Sequence, residues 1–372
     1  MKSSSRILLC TTGLSPQVVT ETLYALAVQS DPAWVPTEVR LLTTKRGAAN
    51  ARLNLLSSQP GWFHRLCDEY ELPPIRFEGD SVQVIRDQEG RELEDISTQE
   101  HNDAAADLMT EVVRQLTSDP ATELHVSIAG GRKTMGYYLG YALSLFGRPQ
   151  DVLSHVLVSS PFESHPDFYF PSKSERIIQT FGPNPQPLDC RNAEVRLANI
   201  PFVRLRDGLP LTLRQGACSF SETVQLANRS LERPCLELKV GARQVLADGQ
   251  AVNLGETSFV VLLWLAERTR AGRSMVDWGQ SDAVDDFLHS ARRVINPMSG
   301  KFEKMEASLE PIRTIAVKLR KYFEPHKTRI NNALRDALGE SSAKRYAIDR
   351  VDTSEGYSVR LPLEPDQIKV TR

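Results

Sequence analysis

Two short stretches concentrate the residue types that phosphate chemistry needs. Residues 124–135, Leu-His-Val-Ser-Ile-Ala-Gly-Gly-Arg-Lys-Thr-Met, pass from an alternating apolar run into two glycines, after which Arg132, Lys133 and Thr134 open an apolar helix. Glycine lets a backbone approach a ligand closely. A helix start presents unpaired N–H groups and the positive end of its dipole, and two cations add full charge at the same point. Residues 11–17, Thr-Thr-Gly-Leu-Ser-Pro-Gln, repeat the arrangement, and residues 43–47, Thr-Thr-Lys-Arg-Gly, offer a third version. Any one of these reads equally well as a tight turn with a solvated helix start; three at strand ends read as a cradle. Gly13, Ser15, Gln17, Thr44, Gly130, Gly131 and Thr134 are the candidate ligand contacts, with Arg132 and Lys133 as the charges. The spacing G-x-x-x-x-G-K-[ST] of a triphosphate loop is absent, and so is G-x-G-x-x-G for dinucleotides.

The elements that must hold these loops alternate strand and helix. Strands are expected at residues 6–11, 38–43, 75–77, 82–86, 123–128 and 152–158. Helices are expected at 16–29, with Ser15 as N-cap, at 48–70, at 97–117, with Ser97 and Glu100 as a capping box, and at 133–146. This alternation predicts an α/β fold with a doubly wound, mostly parallel sheet. Ligands in such sheets bind beyond the carboxyl ends of the strands. Residues 182–190 are proline-rich and mark a connector from about 182; a strand at 200–206 and a short helix at 219–228 follow.

The last 140 or so residues have another texture. Short strands at 236–240, 244–247 and 251–254, with Asp248-Gly249 as a type I′ turn, lead into helices at 259–270, 283–294, 305–322 and 327–338. Strands at 346–349 and 357–361 close the chain. That order predicts a second, α+β domain of winged-helix type, with domains at 1–228 and 229–372. Between Arg313 and Arg335 stand seven basic residues and one acidic, Glu324. A basic helix before a hairpin is the footprint of a DNA reader, with Lys318, Arg320, Lys327 and Arg329 as candidate contacts. A solvated helix face, or a dimerisation or lid element, is the alternative.

Composition narrows the classes. The 372 residues carry a net charge of −2, 41% hydrophobic and 25% charged residues, as expected of a globular protein of two domains. The five cysteines have no C-x-x-C spacing, so neither a disulfide framework nor a zinc site is expected, and Cys10 reads as core. No histidine motif has metal-ligand spacing, and no metal is expected. His125 and His155 read as structural strand histidines, and His165 as loop surface. Phe168 and Tyr169 are the aromatics considered for base stacking, against a core or sheet-edge role. The apolar runs are too short for a signal peptide or a membrane span of about 20 residues, which points to the cytoplasm.

Residues 11–23, Thr-Thr-Gly-Leu-Ser-Pro-Gln-Val-Val-Thr-Glu-Thr-Leu, together with residues 129–135, Ala-Gly-Gly-Arg-Lys-Thr-Met, resemble the CARF domains of CRISPR-associated proteins, particularly the subset that includes ring nucleases. The resemblance covers roughly residues 1–210. It implies a Rossmann-like homodimer that binds a cyclic oligoadenylate across its two-fold axis. It further implies metal-independent cleavage of that ring, most readily cyclic tetra-adenylate, by attack of a ribose 2′-hydroxyl on its own 3′-phosphate. Such an enzyme would switch off type III CRISPR signalling. Lys133 matches the family's catalytic lysine, Arg132 is placed to share its role, and Thr11 or Thr12 falls where the family carries a hydroxyl, here threonine in place of serine. Two other functions fit the resemblance: a ring-sensing transcription regulator that binds duplex DNA, and a CARF-gated ribonuclease using Arg320 and His326 in the R-x(4–6)-H spacing of HEPN domains. Against the latter, this half begins and ends in strands, and Pro325 is expected to break the helix beside the histidine.

Overall fold

The computed structural model describes residues 5–209, 213, 214, 216, 218–229, 233–279, 282–354 and 356–372. Residues up to Arg206, with a short stretch ending at Phe220, form one compact unit, and the remainder to Arg372 forms a second.

The first unit grows from β1 (Ser5–Thr11), whose Ile7, Leu8, Leu9 and Cys10 are all buried. A strand apolar on successive residues must be covered on both faces. The chain continues through α1 (Gln17–Tyr24), β2 (Glu38–Thr43), α2 (Lys45–Ala51), α3 (Trp62–Glu69) and β3 (Val82–Val84). Then come α4 (Gln99–Leu116), β4 (Thr122–Ser127), α5 (Lys133–Phe146), β5 (Val152–Val158), the small pair β6 (Ile177–Gln179) and β7 (Pro187–Asp189), and β8 (Val195–Asn199). The main sheet has the order β3-β2-β1-β4-β5-β8, parallel except for β8, which runs against β5. This is the α/β, mostly parallel sheet expected. Its order reverses between β1 and β4, the position at which open sheets form a crevice. Leu8, Cys10 and Leu41 pack with Val19 and Leu23 of α1 and Phe63 and Leu66 of α3; α4 and α5 pack together, and α5 also meets β4.

Several local expectations change. Residues 75–77 make a single bridge rather than a strand: only Arg76 pairs with β2, receiving a bond from Val39 N and donating one to Thr37 O. The expected helix over 48–70 is interrupted, because Pro60 and the left-handed Gly61 separate α3 from the turns before it. Pro16, not Ser15, occupies the N-cap of α1, with no side-chain cap. The cap of α4 is Thr98, whose Oγ1 accepts from His101 N, so the helix starts two residues later than 97. The strand expected at 200–206 is β8, several residues earlier, placed by its pairing with β5.

The second unit takes in α6 (Phe220–Arg229) from Ser221 onward, followed by β9 (Leu236–Lys239), β10 (Gln244–Ala247) and β11 (Gln250–Val252). Asp248 and Gly249 both have positive φ, as a type I′ turn requires. Next come α7 (Glu256–Arg270), α8 (Asp282–Arg292), α9 (Gly300–Leu309), α10 (Ala316–Ala343), the hairpin β12 (Asp349–Thr353) and β13 (Gly356–Arg360), and β14 (Ile368–Thr371). β14, not anticipated, adds parallel to β9 and completes a four-stranded sheet. The expected division of the helices moves as well. The chain breaks between α9 and α10, whereas α10 runs straight through Pro325 and departs from helical geometry only at Gly339. Pro325 is exposed, so water can satisfy the carbonyl that loses its donor. Trp264 stacks on Phe323 with ring centroids 5.0 Å apart, and Trp278 and Phe287 close the core around them. No described helix is long and apolar enough to cross a membrane.

Opposite the carboxyl ends of the strands, Arg148 and Asp151 form a buried clamp. Arg148 Nε donates to Asp151 Oδ2 at 2.9 Å, one terminal nitrogen reaches Asp151 Oδ1 at 2.8 Å and Thr122 O at 2.7 Å, and Leu124 N donates to the same carboxylate at 3.3 Å. Breaking one partner of such a pair strands a buried charge. Asp151→Ala is therefore expected to lower the stability of the first unit by about 3–5 kcal/mol, read by chemical denaturation, while Glu194→Ala, in an exposed ion pair with Arg196, changes it by less than about 1 kcal/mol.

Candidate functional site

The loops after β1, β2 and β4 meet backbone to backbone. Thr11 Oγ1 donates to Gly130 O at 2.9 Å, and Thr43 Oγ1 donates to Thr12 O at 2.7 Å. A Cβ on Gly130 would lie 2.6 Å from Thr11 O, one on Gly47 would lie 2.8 Å from Gly13 O, and Gly13 faces Gly131 at contact distance. Gly131 has φ +87, which turns the chain from β4 into α5. Thr11 and Thr12 are both buried, and neither lines the crevice below. The structure thus places the Thr11 hydroxyl as a tie between two loops. Thr12 Oγ1 is buried without a partner. Thr44 caps α2, accepting from Gly47 N at 3.3 Å.

The cations at this edge are not equivalent. The Arg132 guanidinium is joined to the Asp95 carboxylate, with Nε 3.1 Å from Oδ1, and that bond holds the Asp95 carboxyl below its usual range. Lys45 and Arg46 both face Glu94, at 2.5 and 3.7 Å. Lys133, the first residue of α5, is exposed and makes no ion pair among the described residues; Thr134 beside it is exposed too. The sequence presents four comparable cations; the structure leaves Lys133 as the one without a carboxylate.

Between the β1 and β4 loops, against the end of β5, lies a crevice of about 310 Å³. Gly13, Ser15, Gln17, Gly130 and Gly131 line it, as do Glu21, His155 and Glu163. Glu21 is buried, and burial, reinforced by the charge of Glu163, pushes its carboxyl from 4.5 up to about 8. Sequence reasoning missed these carboxyls. The available signal was helical spacing: Glu21 sits one turn after Gln17 on the same face of α1. Glu163 carries no such signal, because it arrives from the loop after β5.

The other residues singled out fall away from the crevice. His125 is buried against Trp34 and Ser154 Oγ, at 2.8 Å from the latter, and burial lowers its pKa to about 4. His165 is not loop surface: it is buried, accepts from Asp167 N, lies 2.8 Å from Gln179 O and stacks on Phe181. Phe168 and Tyr169 are core residues, packed on Phe162 and Trp62. Cys10 is core as well, its thiol pushed up to about 12 by burial. In the second unit, Lys318, Lys321 and Arg329 are exposed along α10, whereas Lys327 is mostly covered and paired with Glu324 at 2.7 Å. Arg320 and Arg350 both lie over the ring of Tyr357 on β13. His326 is half-buried and 3.3 Å from Ser258 Oγ; burial, then the Arg329 charge, lowers its pKa.

A family profile described as CRISPR-associated protein NE0113 matches residues 15–233, more than half of the chain. No curated protein sequence matches it. Among solved structures, it is similar to Enterococcus italicus Csm6 bound to cyclic hexa-2′-fluoro-hexa-dAMP, at 11% identity, covering 89% of this chain and 62% of that one, with a TM-score of 0.27. It is also similar to Can2 from Sulfobacillus thermosulfidooxidans in complex with cyclic tetra-adenylate, at 11% identity, covering 95% of this chain and 74% of that one, with a TM-score of 0.22. The chain thus spans 62% of the length of the Csm6 chain it matches.

The state of Glu21 is open to measurement. Its folded pKa lies above the unfolded one, so its stabilising effect is complete below about 4.5 and is lost as the pH rises through about 8. The melting temperature of the first unit is expected to fall over that interval in the wild type and to fall less in Glu21→Gln. Parallel curves would show that Glu21 ionises freely.

Proposed function

The chain belongs to the CRISPR-associated protein NE0113 family, and on that premise we propose that it is a CARF-type ring nuclease, which as a homodimer binds and linearises a cyclic oligoadenylate. The observation that supports this most is Lys133: an exposed cation at the first position of α5, beside two glycines at the sheet's switch point, with no carboxylate among the described residues to neutralise it. A cyclic oligoadenylate brings its own nucleophile. The 2′-oxygen attacks the adjacent 3′-phosphorus, the bond from phosphorus to the 5′-oxygen breaks, and the 2′-hydroxyl proton ends on the departing 5′-oxygen. A 2′,3′-cyclic phosphate and a 5′-hydroxyl result. The protein must hold attacking and leaving oxygens in line and stabilise charge on the phosphorane. Lys133 and the N–H groups opening α5 supply the charge, and Arg132 joins them when phosphate replaces Asp95. Cyclic tetra-adenylate is the preferred substrate in this reading, and its destruction ends a type III CRISPR signal.

A second reading, a ring-sensing regulator, is favoured by the second unit. A long helix with exposed Lys318, Lys321 and Arg329 and a hairpin bearing Arg350 follow a small sheet, as in a winged helix that reads duplex DNA.

Two measurements separate these readings. Purified protein in EDTA is expected to convert cyclic tetra-adenylate to linear products resolved by chromatography, and Lys133→Ala to slow this by about 10²–10³-fold without a change in melting temperature. Intact rings after incubation with cyclic tri-, tetra- and hexa-adenylate would reject the enzyme. If the second unit binds DNA, a duplex gel shift weakens as salt rises, and replacing Lys318, Lys321 and Arg329 together by alanine removes it; a salt-independent or absent shift leaves the regulator without support.

A further inference from the structure

Between α10 and Tyr357 of β13, within the second unit, runs a groove of about 760 Å³, against about 310 Å³ for the crevice of the first unit. One wall is α10, where Val317, Lys321, Pro325 and Arg329 recur every fourth residue and so share a face. That stretch is about 18 Å long at 1.5 Å per residue. The surface facing the groove is mostly apolar: Val317, which is 71% exposed, Pro325, the ring of Tyr357 and the carbon stems of the long side chains. A contiguous apolar surface rimmed by charge marks a contact site.

The charge on that rim has one sign. Lys321 and Arg329 stand one turn to either side of Pro325, exposed and without an ion pair among the described residues. Glu324, the carboxylate in the lining, is already held: Oε1 lies 2.7 Å from Lys327 Nζ, and Oε2 accepts from the Tyr357 hydroxyl at 3.1 Å. An occupant therefore needs negative charge at two points about 12 Å apart along the helix, with an apolar group between them.

Pro325 adds a third requirement. It has no N–H, so the carbonyl of Lys321, four residues earlier, lacks its helical donor. A polypeptide brings main-chain N–H groups that can replace water on this carbonyl. Duplex DNA, the partner of these cations in the regulator reading, fits less well. Its phosphodiester backbone offers acceptors only, and it would lay charged oxygens on an apolar floor.

We propose that the groove docks an acidic segment of a partner protein, about five residues long if extended, with an apolar side chain on the floor and carboxylates reaching Lys321 and Arg329. The inference concerns the second unit alone and does not rest on the ring-nuclease reading.

The test is selection from a display library of random peptides on the full chain, with counterselection on the charge-reversed double variant Lys321→Glu/Arg329→Glu. Selected peptides and a random-sequence DNA duplex, each labelled with fluorescein, are then titrated by anisotropy. Enriched peptides are expected to carry acidic residues on both sides of an apolar one. They should bind about tenfold or more weakly to the charge-reversed protein, and about tenfold more weakly to Val317→Asp. No enrichment over the charge-reversed protein, or enrichment without an acidic bias, overturns the proposal. So does a duplex that binds tighter than any selected peptide and loses affinity on charge reversal but not in Val317→Asp, since the cations then serve phosphate. A groove filled by a second copy of the chain would show as a smaller sedimentation coefficient on charge reversal, and overturns it too. The enrichment on the wild type needs no variant of Val317, and Val317→Ser replaces Val317→Asp if the latter lowers the melting temperature.

Discussion

Everything at the upper edge of the main sheet depends on how closely three strand-end loops approach one another. Side-chain hydroxyls of Thr11 and Thr43 reach across to backbone carbonyls of neighbouring loops, and Gly47 and Gly130 sit where a methyl group would collide with main chain. Such contacts leave no room for side chains, so the loops are held as a rigid rim. Order reverses at this point, between β1 and β4, and three helices, α1, α2 and α5, start from the rim. A crevice and a set of helix N-termini are therefore consequences of one packing constraint.

Charge is then distributed around the rim unevenly. Arg132, Lys45 and Arg46 lean on Asp95 and Glu94, carried by the segment after β3. These pairs are exposed, and exposed pairs contribute little to stability. Among the described residues Lys133 has no ion-pair partner, while Glu21 and Glu163 line the crevice. The edge thus has a cationic exterior on the α5 side and, beside it, a crevice lined by carboxyls. In the second unit a comparable economy applies: Tyr357 is shared by Arg320 and Arg350, fixing the hairpin to α10, and the exposed cations of α10 remain in solvent.

Much of this was legible in the chain. The unbroken apolar run at residues 7–10, the alternation of strand and helix, and the glycine–cation sequence at 130–133 follow from local chemistry and placed the sheet and its loaded edge. The type I′ turn at Asp248-Gly249 was equally local. What failed were contacts that local pattern does not encode. β14 joins β9 across more than a hundred residues, and the residues at 75–77 have strand-like chemistry but only one residue in reach of β2. Pro325 was read as a helix breaker, but an exposed face tolerates the lost bond. His165 looked like surface until β6 and its neighbours closed over it.

The candidate site divides in the same way. Sequence by itself determined that a phosphate-compatible helix start, two glycines and a run of cations stand at a strand end, because residue type and short spacing carry that information. Only the tertiary structure decided which hydroxyls are ties, which cations are already paired, and that Gln17, Glu21 and Glu163 share one crevice. Those outcomes depend on distances between loops far apart in the chain, and the free energy of a buried carboxyl or an ion pair is fixed by what surrounds it.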